Sequence, residues 1–161
     1  MKKLGIFISL MALSVLLNAQ DLVDDLIKKY EGKKGFTSIA FNGSIFSFKT
    51  EGVDSGTKID NIRIVTKEQE KDWVNFCDEL EPIVKASSYV ELMRVREQDE
   101  NVVFYAKYAN KKMVELLLIA EGTSESAVIS IKGKMNMKDL ASISTVVDYY
   151  GFGKLSLLDE N

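Results

Sequence analysis

The run Val102-Val103-Phe104-Tyr105-Ala106-Lys107-Tyr108-Ala109, the pair Asn110-Lys111 and the run Met113-Val114-Glu115-Leu116-Leu117-Leu118-Ile119-Ala120-Glu121 decide how this chain folds. Side chains alternate faces along a strand, so Val102, Phe104, Ala106 and Tyr108 share one side. Val114, Leu116, Leu118 and Ala120 line one side of the second run, while Leu117 and Ile119 are apolar on the other. Asn110-Lys111 is a turn of hairpin length, and a connection this short makes its strands antiparallel neighbours. A strand apolar on both sides belongs inside a sheet covered on both faces, which places Met113–Glu121 centrally.

The same alternation extends outward. Val90–Glu97 precedes the pair and Ala127–Gly133 follows it, separated by Asp99-Glu100-Asn101 and Gly122-Thr123-Ser124 as turns. Upstream, Phe36–Phe41 and the β-branched run Ile59–Val65 suit strands, and Thr50–Lys58 is a loop. Asp21–Glu31 has helical spacing through Leu22, Leu26 and Tyr30, with acids in its first turns. Thr66 and Gln69 have the spacing of a capping box. The helix expected from there carries Trp73, Phe76, Cys77, Leu80, Ile83 and Val84 on one stripe and kinks or breaks at Pro82, the only proline. Asn136 is a candidate cap for a last helix with Leu140, Ile143 and Val147. The fold class expected is α+β, a mostly antiparallel sheet meander with helices packed on one face.

The chain opens with Lys2 and Lys3, an apolar run from Leu4 to Leu17, and Leu17-Asn18-Ala19, the three parts of an export signal. As a helix the run spans about 21 Å at ~1.5 Å per residue. A bilayer core is about 30 Å thick, so a signal peptide over residues 1–19 is expected rather than an anchor. Gln20 follows the expected cut where a lipoprotein needs cysteine, so a released product, periplasmic or extracellular, is expected and not a lipoprotein. Residues 20–161 then form one domain, with no transmembrane segment. Loss of the two lysines takes the formal charge from −3 to −5, which opposes binding to nucleic acid or an anionic membrane surface. The cluster Lys28, Lys29, Lys33 and Lys34 is diluted by Asp24, Asp25 and Glu31 and is expected to be a solvated helix end.

The chain holds no histidine and one cysteine. That removes the usual base at neutral pH, thiolate zinc sites and Ser–His or Cys–His nucleophile pairs. Cys77, on an apolar helical stripe, is expected to be a buried small hydrophobe. Ser55-Gly56-Thr57-Lys58 has the S-x-x-K spacing but not the helix that aims lysine at serine. Asp78, Glu79 and Glu81 are expected on a solvated helix face. Asp54, Asp60 and Asn61 do not match a calcium loop, and Gly151-Phe152-Gly153-Lys154 lacks the phosphate-loop spacing. Tyr149, Tyr150 and Phe152 belong to a C-terminal tail, 149–161. The sequence therefore offers no catalytic, cofactor-binding or metal residue.

Ile59-Asp60-Asn61-Ile62-Arg63-Ile64, Tyr89-Val90-Glu91-Leu92-Met93-Arg94-Val95, Asn101-Val102-Val103-Phe104-Tyr105, Val114-Glu115-Leu116-Leu117-Leu118-Ile119 and Ile129-Ser130-Ile131-Lys132-Gly133 come in an order that resembles domain-of-unknown-function family 4252, small exported proteins of Gram-negative bacteria. The resemblance covers roughly residues 36–147 and implies no activity, cofactor or catalytic residue. The function expected is a non-catalytic exported binding or interaction module of the bacterial cell envelope, with an envelope protein as partner. An outer strand, Phe36–Phe41 or Ala127–Gly133, would add a strand of that partner. Two alternatives are a carrier of an apolar ligand such as a lipid, held between sheet and helices, and an enzyme using carboxylates or lysine.

Overall fold

Helix α1 (Leu22–Tyr30) leads into strand β1 (Phe36–Asn42); β2 (Lys58–Glu68) and α2 (Phe76–Ala86) precede four consecutive strands, β3 (Tyr89–Glu97), β4 (Glu100–Ala109), β5 (Lys112–Gly122) and β6 (Glu125–Met135). The structure, a computed structural model, describes residues 22–43, 57–68 and 74–136. The expected signal peptide, Asp54, Ser55, Gln69, Trp73, the last helix and the C-terminal tail lie outside them. The six strands form one antiparallel sheet in the order β1-β2-β6-β5-β4-β3. The α+β class and the β3–β6 meander are thus as the sequence indicates. Asn110 and Lys111 both take positive φ, 51° and 62°, the backbone of a two-residue hairpin turn whose twist matches the strands.

Directly opposed residues of antiparallel strands share a face, so each register can be followed across the sheet. One row runs Ile39–Ile64–Ile129–Leu118–Phe104–Met93. Its neighbours on that face are Phe41–Ile62–Ile131–Leu116–Ala106–Val90 and Thr37–Thr66–Ala127–Ala120–Val102–Val95. Over these three rows the face is apolar apart from its two threonines, and its central residues form one buried cluster. The opposite face is apolar only in its middle. There Val65, Val128, Leu117, Ile119, Val103 and Tyr105 share a second cluster with Val23, Ile27 and Tyr30 of α1 and Phe76, Cys77, Leu80 and Val84 of α2. Tyr30 stands edge-on to Phe76 at 5.4 Å and tilted on Phe36 at 4.7 Å, tying both helices to β1. Leu116 to Ile119 is buried without a break, as a central strand requires.

Close backbone approach fixes one register shift. Gly133 faces β2 where pairing slips between Ile59 and Asn61. A Cβ there would stand 2.2 Å from the Lys58 carbonyl oxygen, so only glycine fits.

Three expectations are corrected. The helix expected from Thr66 begins at Phe76, because β2 continues to Glu68: Thr66 is paired with Thr37 on one side and Ala127 on the other. Two ladders of hydrogen bonds outweigh one side-chain cap. Asn75 caps α2 instead, its side chain accepting from the Asp78 N–H at 3.0 Å. Nor does Pro82 break the helix, which runs through it to Ala86. Asp78, whose carbonyl loses its donor, is exposed, so water can replace the missing bond. Finally, Ala127–Gly133 is no outer strand; β6 lies between β2 and β5.

Leu117→Ala, at a site with 0 % exposure, should cost about 2–5 kcal/mol in urea unfolding, while Val90→Ala, 52 % exposed, should change stability by less than ~0.5 kcal/mol. Lys111→Gly should raise stability by roughly 0.5–1 kcal/mol, because glycine adopts the left-handed turn without strain.

Candidate functional site

β1 and β3 are the outer strands among the described residues, and they differ in kind. β1 reads Phe-Thr-Ser-Ile-Ala-Phe-Asn: it has no charge and no proline, and its register with β2 is unbroken over all seven residues. Thr37, Ser38 and Ala40 are exposed. β3 carries Glu91, Arg94, Arg96 and Glu97, and its register with β4 shifts between Glu91 and Met93. Charges and bulges are the means by which sheets block strand addition, so β3 is guarded and β1 is not.

Arg94 also anchors α2. Its guanidinium donates to Glu81 at 2.8 Å, to Glu91 at 2.8 and 3.0 Å and to the Tyr105 hydroxyl at 2.9 Å. The hydrogen bonds to Arg94 hold Glu91 below the usual carboxylate range. On α2, Glu79 accepts from the Tyr30 hydroxyl at 2.5 Å and from Lys29 at 3.1 Å, linking the two helices. Asp78 alone of the three acids is exposed, so the expected solvated face holds for it and not for Glu79 or Glu81, which face partners on α1 and β3.

The face of Val65, Val103, Leu117 and Val128 is polar at both ends. At one end the row is Asn42–Asn61–Lys132–Glu115–Lys107–Tyr89. Buried Glu115 accepts from the Tyr89 hydroxyl at 2.7 Å and from Ser130 at 3.0 Å. Burial, then the Glu115 charge, pushes the Tyr89 phenol up. Lys132 pairs with Asp24 of α1, and Lys107 lies over the Tyr89 ring at 5.3 Å. At the other end the row is Phe36–Lys67–Ser126–Glu121–Asn101–Arg96. Glu121 accepts from the Cys77 N–H at 3.0 Å, and Asn101 donates to the Cys77 sulfur at 3.5 Å. Burial pushes the Cys77 thiol up to about 12 and the Glu121 carboxyl up to about 7.

These groups hold elements together. Glu115 has both oxygens occupied, and the Cys77 thiol is a poor nucleophile when protonated. Beyond the second polar row, the β3–β4 and β5–β6 turns frame a depression of about 400 Å³ lined by Glu97, Asp99, Glu100, Thr123 and Glu125. Between helices and sheet, the void bounded by Leu26, Tyr30, Val65, Phe76 and Leu80 has no room for a water molecule. Among the described residues no group of three or more cysteines or carboxylates is placed to hold a metal, and no helix is long and apolar enough to cross a membrane. Asp60 pairs with Lys58 at the start of β2, and Asn61 turns into the sheet. Lys28, Lys29, Lys33 and Lys34 are exposed around the end of α1. The Arg94 anchor and the Glu121–Asn101–Cys77 contact were missed in the sequence; alternation places those residues on one face but names no partner.

The profile of the family described as Domain of unknown function (DUF4252) matches residues 30–143. No curated protein and no solved structure gives a significant match to the chain.

Alkylation of Cys77 at pH 8 should run roughly 100-fold slower in the folded chain than in denaturant, followed by mass spectrometry; equal rates would show that the thiol is open.

Proposed function

The chain belongs to the DUF4252 family, and we propose that it is a non-catalytic, exported binding module of the bacterial cell envelope that adds a strand of an envelope protein along β1. The observation that carries this reading is the contrast between the two outer strands. β1 is uncharged, free of proline and regular, whereas β3 is charged and bulged. An extended segment laid beside such a strand gains main-chain hydrogen bonds, and its alternate side chains reach opposite faces. Residues beside Ile39 and Phe41 would continue the apolar face, so the partner segment should alternate apolar and polar residues.

Export rests on the signal-like residues 1–19, and Gln20 in place of a lipidated cysteine supports a released product, periplasmic in our reading with extracellular release as the alternative. We read both helices as lying on one face of the sheet, supported by the cluster they share with Val65, Val103, Leu117 and Val128. Their closed packing favours a binding module over a carrier with its ligand between sheet and helices. The missing histidine and the occupied or shielded acids favour it over a catalyst.

Photo-crosslinking residues placed at Thr37 and at Val90 in living cells test the reading. The same envelope protein should be captured from position 37 and not from position 90. Ala40→Lys should lower its yield about tenfold while leaving the thermal midpoint of this exposed site unchanged. Capture from position 90 alone, or a yield indifferent to the lysine, contradicts it.

A further inference from the structure

We propose that Glu121 keeps its proton in the folded protein and donates it from Oε2 to Asn101 Oδ1, making Glu121, Asn101 and Cys77 a proton-dependent latch that fastens the first turn of α2 to β4 and β5. Glu121 and Asn101 stand directly opposite one another across β5 and β4. Glu121 Oε2 and Asn101 Oδ1 are both sealed from solvent, and neither has a hydrogen-bond partner. Both are acceptors, and two dry acceptors on opposed residues lack only a proton between them. The remaining contacts close a ring. Asn101 Nδ2 donates to Cys77 Sγ at 3.5 Å, which turns the amide oxygen away from the sulfur, and the Cys77 N–H donates to Glu121 Oε1 at 3.0 Å. With the proton in place, each member of the ring gives one hydrogen bond and takes one.

The surroundings favour the neutral acid. Glu121 is 8 % exposed. From α2 it faces Cys77 and the negative Asp78; the Phe76 and Cys77 N–H groups there favour the carboxylate. From β6 it faces Ser126, whose hydroxyl also favours the carboxylate. Along the same row Lys67 lies one strand beyond Ser126, its ammonium over the Phe36 ring at 5.4 Å, and Arg96 lies on β3 beyond Asn101. Among the described residues no lysine or arginine pairs with Glu121. Burial is the largest influence on its carboxyl and raises it from 4.5 to about 7. A carboxyl raised on folding binds its proton more tightly in the folded chain. The latch therefore contributes fully below the ordinary carboxyl value, and its contribution is lost as pH rises through about 7.

The experiment follows the carboxyl carbon of Glu121 by NMR in the full chain, alongside the unfolding midpoint from pH 4.5 to 8.5 for wild type and Glu121→Gln. Expected is titration near pH 7, a wild-type midpoint that falls through this range, and a flatter profile for Glu121→Gln, whose amide can donate to Asn101 at every pH. Titration of Glu121 below pH 5 would mean that the Asn101 amide is turned to donate to a carboxylate, which overturns the proposal. An unchanged slope in Glu121→Gln also overturns it. If that variant does not fold, the wild-type titration decides alone.

Discussion

The whole arrangement depends on burying Leu116, Leu117, Leu118 and Ile119 on both sides of one strand. A backbone so buried cannot turn its N–H and C=O groups to water, so β5 must be hydrogen-bonded on both flanks. β4 meets one flank through a two-residue turn, and β6 meets the other through the turn after Gly122. β6 is in the same position, with Ala127 to Ile131 buried, so the meander cannot end there. The distant strand β2 closes its open flank, and β1 follows β2 to the outside.

This leaves two faces of different character. One is apolar over three rows from β1 to β3. The other is apolar where α1 and α2 contribute to its cluster, and the groups that fasten the helices lie around it: the Glu121 side chain at the start of α2, and the ion pairs Lys132–Asp24 and Arg94–Glu81. Such pairs lose much of their mutual attraction to desolvation, so their main effect is to fix where each helix sits; losing one partner is costly because the other is left shielded and unpaired. That arrangement suits a scaffold that presents a strand.

The strands between residues 89 and 135 were legible because alternation and short turns are local signals. Asn110-Lys111 announced its hairpin, and Leu117 beside Leu116 announced a central strand. The neighbour of β6 was not legible, because its pairing with β2 joins segments some 60 residues apart and leaves no trace in local pattern. Thr66 misled for a related reason: its capping-box spacing is local, while the two ladders that hold it in β2 are not. Pro82 was overrated as a breaker because its cost depends on whether the orphaned carbonyl reaches water. In the candidate site, burial of Cys77 could be read from the helical stripe, but the partners of Glu79, Glu81 and Glu121 could not, since each lies on another element.

The central claim is that β6 is interior and that β1 is an outer strand among the described residues. Amide hydrogen exchange on the isolated chain tests it directly. Amides of β5 and β6 should exchange only with global unfolding, and alternate amides of β1 between Thr37 and Ala40 should exchange orders of magnitude faster. Fast exchange along one side of β6, or β1 amides all protected as strongly as those of β6, would contradict the account.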